Sequence, residues 1–244
     1  MTQFLGRALR HKPGAVVGAV LVAFFALLAL FAPWIGPHDP FYLFPGAPLH
    51  PPSERFPFGT DELGRDILSR VIYGSRISMQ VGLITVGIAM GGGTTLGLLA
   101  GYRGGRLDAL IMGATDIMLA FPQILLALAI LAMLGPNLYN AMVAVGLSAV
   151  PVYARTVRGS TLAIRGRDYI EAARALGAGD ARIVTRHVLP NVLAPIIVLA
   201  TVGLGTSILI AAGLSYLGLG AQPPLPEWGA MLSDARSYLR SAWW

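Results

Sequence analysis

The chain has 244 residues, of which 55% are hydrophobic and only 12% are charged. Because soluble domains carry about 25% charged residues, this composition argues against a soluble protein and predicts an all-α polytopic membrane protein. The net charge of +6 does not indicate nucleic-acid binding, since the basic residues fall in separate segments, and the absence of cysteine excludes disulfides and thiolate metal sites.

The first predicted membrane span covers residues 14–35 and follows a basic N-terminal tail, residues 1–13. A cleaved signal peptide is the alternative interpretation, but its apolar core would be only about 7–15 residues long. This run is longer and has no small-residue cleavage site at its end. The sequence therefore favours a retained helix.

Four further spans follow a polar, proline-rich segment at residues 36–76, since a span needs about 20 mostly apolar residues. They are predicted at residues 77–102, 109–134, 138–154 and 191–214. Gly91–Gly93 should loosen or kink the second span, and the turn sequence Gly135-Pro136-Asn137 separates the third from the fourth. After a tail at residues 215–244 we expect a sixth span, for which an interfacial anchor made by Trp243 and Trp244 is the alternative.

The distribution of basic residues predicts that the N-terminus is cytoplasmic. In that orientation 12 of the 18 Lys and Arg residues lie in cytoplasmic segments and six lie outside. The cytoplasmic segments are then residues 1–13, 103–108 and 155–190, and the extracytoplasmic ones are residues 36–76, 135–138 and 215–244.

The segment 155–190 is a charged island with seven Arg and three acids, and the 38 residues before it carry no charge. Asp168 is predicted to cap a short helix that ends at Leu176, with Glu171 at the capping-box position. Gly177 and Gly179 then end this helix.

Asp180 is predicted to cap a second helix, residues 181–189, which stops at Pro190. The helical spacing gives the first helix a small apolar face made by Ile170, Ala173 and Leu176. Periodicity alone leaves open whether the segment is a cytoplasmic hairpin without a partner or an element that docks onto one.

The residues themselves add a resemblance. Glu171-Ala172-Ala173, three residues, Gly177, and then Leu189-Pro190 resemble the EAA loop of ABC importer permeases. The resemblance implies that this loop forms a coupling helix, which inserts into a groove on a cytoplasmic ATPase subunit. His187 departs from the family pattern, which has an aliphatic residue at that position.

Two other stretches resemble dipeptide, oligopeptide and nickel permeases, in particular the C-type member of the permease pair. They are the charged segment Phe58–Asp66 and the sequence Leu214–Gly220, the latter followed by Glu227-Trp228-Gly229. The resemblance covers essentially the whole chain and implies the transmembrane fold of type I ABC importers. It also implies uptake of peptides by alternating access across the bacterial or archaeal inner membrane, with nickel or another small solute as the alternative cargo.

The same resemblance implies the partners. They are a second, similar permease chain, cytoplasmic ABC ATPase subunits, an extracytoplasmic substrate-binding protein and the surrounding lipid. ATP and Mg²⁺ would bind to the ATPase subunits, and we expect no cofactor on this chain.

Several polar residues allow two interpretations. In residues 58–76, the side chains of Asp61, Glu62, Arg65 and Asp66 either pair among themselves at the outer end of the second span or contact the binding protein or the translocation entrance. Asp116 lies in an apolar run, where it is either structural, reaching Arg103 or Arg106, or an ion relay. With Pro122 nearby, we favour a structural or gating role for both.

No catalytic or metal site is predicted. The sequence has no GxxxxGK[ST], GxSxG or HExxH pattern. Of the four histidines only His38 and His50 share a segment, which makes a nickel site there a weak hypothesis. A secondary transporter would need buried coupling charges, and Asp116 alone qualifies, while an intramembrane enzyme would need paired catalytic groups that the sequence lacks.

Overall fold

The structure is a computed structural model that describes residues 13–244. The predicted N-terminal tail therefore lies outside the described residues, apart from Pro13. The regular elements of the described residues are helices, together with one isolated bridge between Thr60 and Asp66. The helices are α1 (Pro13–Ile35), α2 (Ile67–Arg103), α3 (Gly105–Leu119), α4 (Gln123–Leu134), α5 (Leu138–Arg165), α6 (Asp168–Ala175), α7 (Asp180–Ile183), a π-helical segment (Val184–Val188), α8 (Leu189–Tyr216), α9 (Trp228–Ala235) and a 3₁₀ turn (Arg236–Tyr238).

Three stretches of the described residues are long and apolar enough to cross a membrane: Val16–Ile35, Ile67–Arg103 and the continuous run Asp180–Tyr216. The pair α3 and α4 meets the same criterion jointly, as one broken span. The number of five spans stays a prediction, because α5, which contains the predicted fourth span, also carries three arginines in its last eleven residues.

The second helix begins at Ile67, ahead of the predicted span start at residue 77. Asp66 explains the early start, because its Oδ2 accepts a hydrogen bond from the Ser69 amide at 3.0 Å. A carboxylate in this place satisfies an amide that the first helical turn leaves without a partner. The helix then continues to Arg103, and Gly91–Gly93 do not interrupt it.

The third predicted span, residues 109–134, is not one continuous helix. α3 ends at Leu119, α4 begins at Gln123, and their axes differ by 97°. The reason lies in Pro122, which has no N–H to donate and which disfavours helical backbone at Phe121.

The predicted fourth span ends at residue 154, but α5 continues to Arg165. Its buried stripe explains the extension, because Val157, Thr161 and Ile164 continue the burial at helical spacing. The predicted turn at residues 135–137 is present: Gly135 has φ +88° and the Asn137 side chain caps α5 by accepting from the Tyr139 amide at 2.8 Å. The first eleven residues of the charged island thus belong to α5.

Glycines at four-residue spacing allow α2 to approach α5 closely. A Cβ added at Gly97 would lie 2.6 Å from the Ala154 carbonyl oxygen, and one at Gly101 would lie 2.7 Å from the Thr161 Cβ. A Cβ added at Gly93 would lie closer still to the Tyr153 Cβ. Small residues repeated in this way are typical of tight helix pairs in membranes, so the glycines are packing positions.

The chain divides into two compact units. The first contains the described residues up to Gln80 together with Pro223–Trp244, and the second is Val81–Gln222. In the first unit, the Arg70 guanidinium donates to the Pro40 and Pro224 carbonyl oxygens at 3.1 and 3.3 Å. These bonds hold the C-terminal residues against the segment that precedes α2. The second unit contains the charged island.

Candidate functional site

The charged island rests on a buried apolar cluster in the second unit. Each residue of this cluster is at most 7% exposed, and together they come from α5, α6, α7, the π-helical segment and α8: Val157, Ile164, Ile170, Ile183, Val188, Val192 and Ile196. Burial of an aliphatic side chain of this size stabilises a fold by about 1.5–3 kcal/mol. The island is therefore a packed structural element and not a loose hairpin.

The helix α6 carries Glu171, Ala172 and Ala173, and its start differs from the prediction. Arg167 is the N-cap residue and makes no side-chain capping bond, while Asp168 is already the first helical residue. The predicted capping by Asp168 is wrong for that reason. Both Asp168 and Glu171 lie in the first turn, where a carboxylate favourably faces the positive end of the helix dipole.

The corner after α6 is built on Gly177, as its place in the sequence predicted. Gly177 has φ +83°, which favours glycine. Its amide donates to the Arg174 carbonyl at 2.9 Å, and the Ala178 amide donates to the Ala173 carbonyl at 3.0 Å. This pair of bonds is the Schellman arrangement that ends a helix and reverses the chain.

The predicted apolar face of α6 is divided between two environments. Ile170 is fully buried in the cluster, Ala173 is half-buried, and Leu176 is 89% exposed. Glu171 and Ala172 are also exposed. The corner therefore exposes one large apolar side chain, Leu176, among small residues and the Glu171 carboxylate. Ile170 anchors α6 in the buried cluster.

The second helix of the island does not end at Pro190, contrary to the prediction. Gly179, not Asp180, is the N-cap of α7, and α7, the π-helical segment and α8 form one continuous run to Tyr216. Pro190 is at the beginning of α8, where a missing N–H is tolerated. His187 lies half-buried in the π-helical segment, while the adjacent Val188 is fully buried in the cluster.

Tyr102, at the end of α2, forms hydrogen bonds to residues of both α6 and α7. Its hydroxyl donates to Asp180 Oδ1 at 2.7 Å and accepts from Arg174 Nη2 at 3.5 Å. Arg165 Nη1 donates to the Gly101 carbonyl at 2.9 Å and so caps the same helix end. Sequence analysis missed Tyr102 and Arg165, because no local pattern relates residues more than 60 positions apart.

Two family models match this chain. One is described as a binding-protein-dependent transport system inner membrane component and matches residues 93–240. The other, the N-terminal TM domain of oligopeptide transport permease C, matches residues 3–52. The chain is also 50% identical over 238 residues to the dipeptide transport system permease protein DppC of Alkalihalophilus pseudofirmus, covering 98% of this chain and 78% of that relative.

The chain belongs to the ABC importer permeases of binding-protein-dependent transport. A second relative, the di/tripeptide transport system permease protein DppC of Pseudomonas aeruginosa, is 48% identical and covers 96% of this chain and 79% of its own length. Among solved structures, the MetNI methionine ABC transporter in an inward-facing conformation shares the fold, with a TM-score of 0.53 and 23% identity. That match covers 69% of this permease and 89% of the other chain.

Two ion pairs join α3 to α5 in the permease. Asp116 pairs with Arg155, and not with Arg103 or Arg106 as predicted, since the two side chains face each other across the helix pair. Asp108 accepts from Arg158 Nε at 2.5 Å and from Nη2 at 2.6 Å. These hydrogen bonds raise the pKa of the Arg158 guanidinium above its ordinary value.

The charged residues around the start of α2 pair among themselves. Arg65 Nε lies 2.6 Å from Asp61 Oδ2, and Arg70 Nε lies 3.5 Å from the same oxygen. Arg65 also lies 3.7 Å from Glu62. This geometry favours the interpretation as an internally paired cap. Across residues 13–244, no group of three or more His, Asp and Glu side chains is placed to hold a metal ion, so the nickel hypothesis gains no support.

Proposed function

We propose that this permease imports peptides across the cytoplasmic membrane, driven by ATP that partner subunits hydrolyse. Peptide cargo is supported by the names of the relatives at 48–50% identity, which are dipeptide and di/tripeptide permeases. The chain itself supplies no bond chemistry and holds neither ATP nor Mg²⁺. Its N-terminus is cytoplasmic, in agreement with the excess of Lys and Arg in residues 1–13, 103–108 and 155–190.

The observation that carries the coupling role is the exposed corner on its buried base. Glu171, Ala172, Ala173 and Gly177 form the corner, with Leu176 at its tip. The buried cluster below it belongs to both α5 and α8. A push on the corner therefore moves two long helices at once, which is what a coupling element must do.

In the proposed mechanism, the corner docks onto a cytoplasmic ATPase subunit. Closure of two ATPase subunits on ATP displaces it, and α5 and α8 rock to change the side on which the pathway opens. A second, similar permease chain forms the other half of the pathway. An extracytoplasmic binding protein delivers the peptide. Asp116 and Pro122 act in helix packing and at the α3–α4 break, and Leu189 and Pro190 continue the corner into α8.

The test replaces the exposed tip. Leu176→Glu places a charge in the docking groove of the ATPase but disturbs no buried contact, because Leu176 is 89% exposed. We expect the variant to fold, to lose co-purification with the ATPase and to reduce ATP-dependent uptake at least tenfold, since a buried unpaired charge costs more than about 1.4 kcal/mol. Leu239→Glu, at a leucine that is 65% exposed, is the matched control.

A second variant, Gly177→Arg, tests the same contact with more bulk. A Cβ at Gly177 meets no atom within 4 Å, although the positive φ adds strain. If Leu176→Glu and Gly177→Arg both leave uptake and ATPase co-purification at the level of the Leu239→Glu control, the corner does not couple to an ATPase and the proposal is wrong.

A further inference from the structure

A pocket of about 120 Å³ lies in the second unit where α4, α5 and α8 meet, and we name it the Ser207 pocket. At about 30 Å³ per water molecule it has room for roughly four waters. Its polar residues are Gln123, Tyr153, Thr206 and Ser207, and the others are small or aliphatic: Ala89, Ala149, Val152, Leu199, Val202 and Gly203. No charged side chain of the described residues lines it, so a charged ligand would meet dipoles and hydroxyls only.

The beginning of α4 borders this pocket, because its first residue, Gln123, is one of the lining residues. The helix starts after a 97° break, and its N-cap residue, Pro122, makes no side-chain capping bond. The first amide of α4 with a backbone partner is that of Leu126, which donates to the Pro122 carbonyl at 3.0 Å. The amides of residues 123–125 therefore remain free to meet an acceptor, with the positive end of the helix dipole behind them.

Ser207 provides an independent observation on the same pocket. Its residue is 4% exposed and lines the pocket, and its hydroxyl makes no hydrogen bond to another described residue. The neighbouring hydroxyls are already engaged: Thr206 donates to the Val202 carbonyl at 3.2 Å and Tyr153 donates to the Leu199 carbonyl at 3.3 Å. The Ser207 hydroxyl is therefore available to donate to an acceptor that enters the pocket.

We propose that the Ser207 pocket is a subsite for a carboxylate of the peptide in transit. Free amides, a free hydroxyl and a helix N-terminus favour an anionic acceptor, and the pocket lining of the described residues contains no acidic side chain that would compete. The small side chains of Ala89 and Ala149 leave space for the carbon atoms next to the carboxylate. This inference rests on the proposed peptide import and adds to it a contact inside the permease.

The absence of cysteine from the 244 residues allows a direct test. Ser207→Cys keeps the size of the side chain and introduces a single thiol into the pocket. The complete transporter, purified with its partner subunits, is treated with the anionic sulfonatoethyl or the cationic trimethylammonioethyl methanethiosulfonate. Mass spectrometry of this chain measures the rate of each reaction, normalised to the rate with a small free thiol.

We expect the anionic reagent to react roughly three- to thirtyfold faster at the introduced thiol, as the field of a helix N-terminus acting on opposite charges predicts. Alanyl-alanine should protect this thiol, whereas alanyl-alanine amide, which lacks the carboxylate, should not. Thr201→Cys is the control on the same helix, because Thr201 is exposed and does not line the pocket. It should show neither the charge preference nor the protection.

ATP-driven uptake by the same Ser207→Cys transporter separates this inference from the proposed function. If uptake persists but the two reagents react equally, or if the amide protects as well as the free dipeptide, the carboxylate subsite is wrong and peptide import stands. If the unmodified transporter takes up no peptide under any condition, the proposed function fails first.

Discussion

Asp108 and Asp116 lie two turns apart on α3, and each faces an arginine of α5, but their surroundings differ. Asp108 and its partner Arg158 are 17% and 32% exposed at their side chains, with two hydrogen bonds between them. Asp116 and Arg155 are 62% and 55% exposed. Because screening by solvent weakens exposed pairs, the same chemical pairing should contribute unequally at the two positions.

The prediction at this scale compares two isosteric changes. Asp108→Asn should lower the stability of the detergent-solubilised permease by about 1–3 kcal/mol, because two charge-assisted hydrogen bonds lose their acceptor charge. Asp116→Asn should cost at most about 1 kcal/mol. Thermal unfolding of the two variants side by side measures the difference. Equal losses of stability would show that the Asp108–Arg158 pair contributes no more than the Asp116–Arg155 pair.

At the scale of whole elements, the helices differ in how far the sequence could predict them. The apolar runs and the turn at residues 135–137 could be predicted, because periodicity and turn chemistry depend on residues that are close together in the sequence. The EAA pattern and Gly177 were readable for the same reason. The extent of α5 to Arg165 was not, because its continuation depends on a partner cluster assembled from α6, α7 and α8. The third span was predicted as one helix over residues 109–134, and the assignment of Pro122 to a structural or gating role did not extend to the 97° break between α3 and α4.

The glycines of α2 give the prediction at this scale. Gly97→Ala should destabilise the permease by about 1–3 kcal/mol, because its methyl group would lie 2.6 Å from the Ala154 carbonyl oxygen and force α2 away from α5. Gly91→Ala is the matched control on the same helix, since a methyl group there meets nothing within 4 Å. It should leave the stability unchanged or raise it by up to about 1 kcal/mol.

Thermal unfolding in the same detergent again provides the measurement. A Gly97→Ala variant as stable as Gly91→Ala would show that α2 and α5 can separate without loss of stability, and that the glycine spacing does not set the distance between them.

At the scale of the whole molecule, the orientation in the membrane decides which partners each segment can meet. The corner at Gly177 can reach an ATPase only from the cytoplasm, and the internally paired segment before α2 can meet a binding protein only from outside. The charge distribution predicts this arrangement. The fold alone does not determine it, because a helical bundle can insert into a membrane in either orientation.

The prediction uses single cysteines in this cysteine-free chain. In intact cells an impermeant maleimide should label Glu54→Cys, an exposed position before α2, and should label Arg182→Cys in α7 only after the membrane is permeabilised. Both sites are exposed, so a difference reports the side of the membrane and not burial. Labelling in the reverse order would place the corner outside and exclude docking to an ATPase.

The π-helical segment Val184–Val188 gives α7 and α8 a particular mechanical relation. Its wider turn holds one residue that a regular α-turn would not, and each residue of an α-helix corresponds to a rotation of about 100° around the axis. The π-helical segment therefore determines how the corner is rotated about the helix axis relative to α8. If the π-helical turn at Val184–Val188 became a regular α-helical turn, the corner would rotate relative to α8 about the helix axis. The backbone of the run would stay continuous during this rotation.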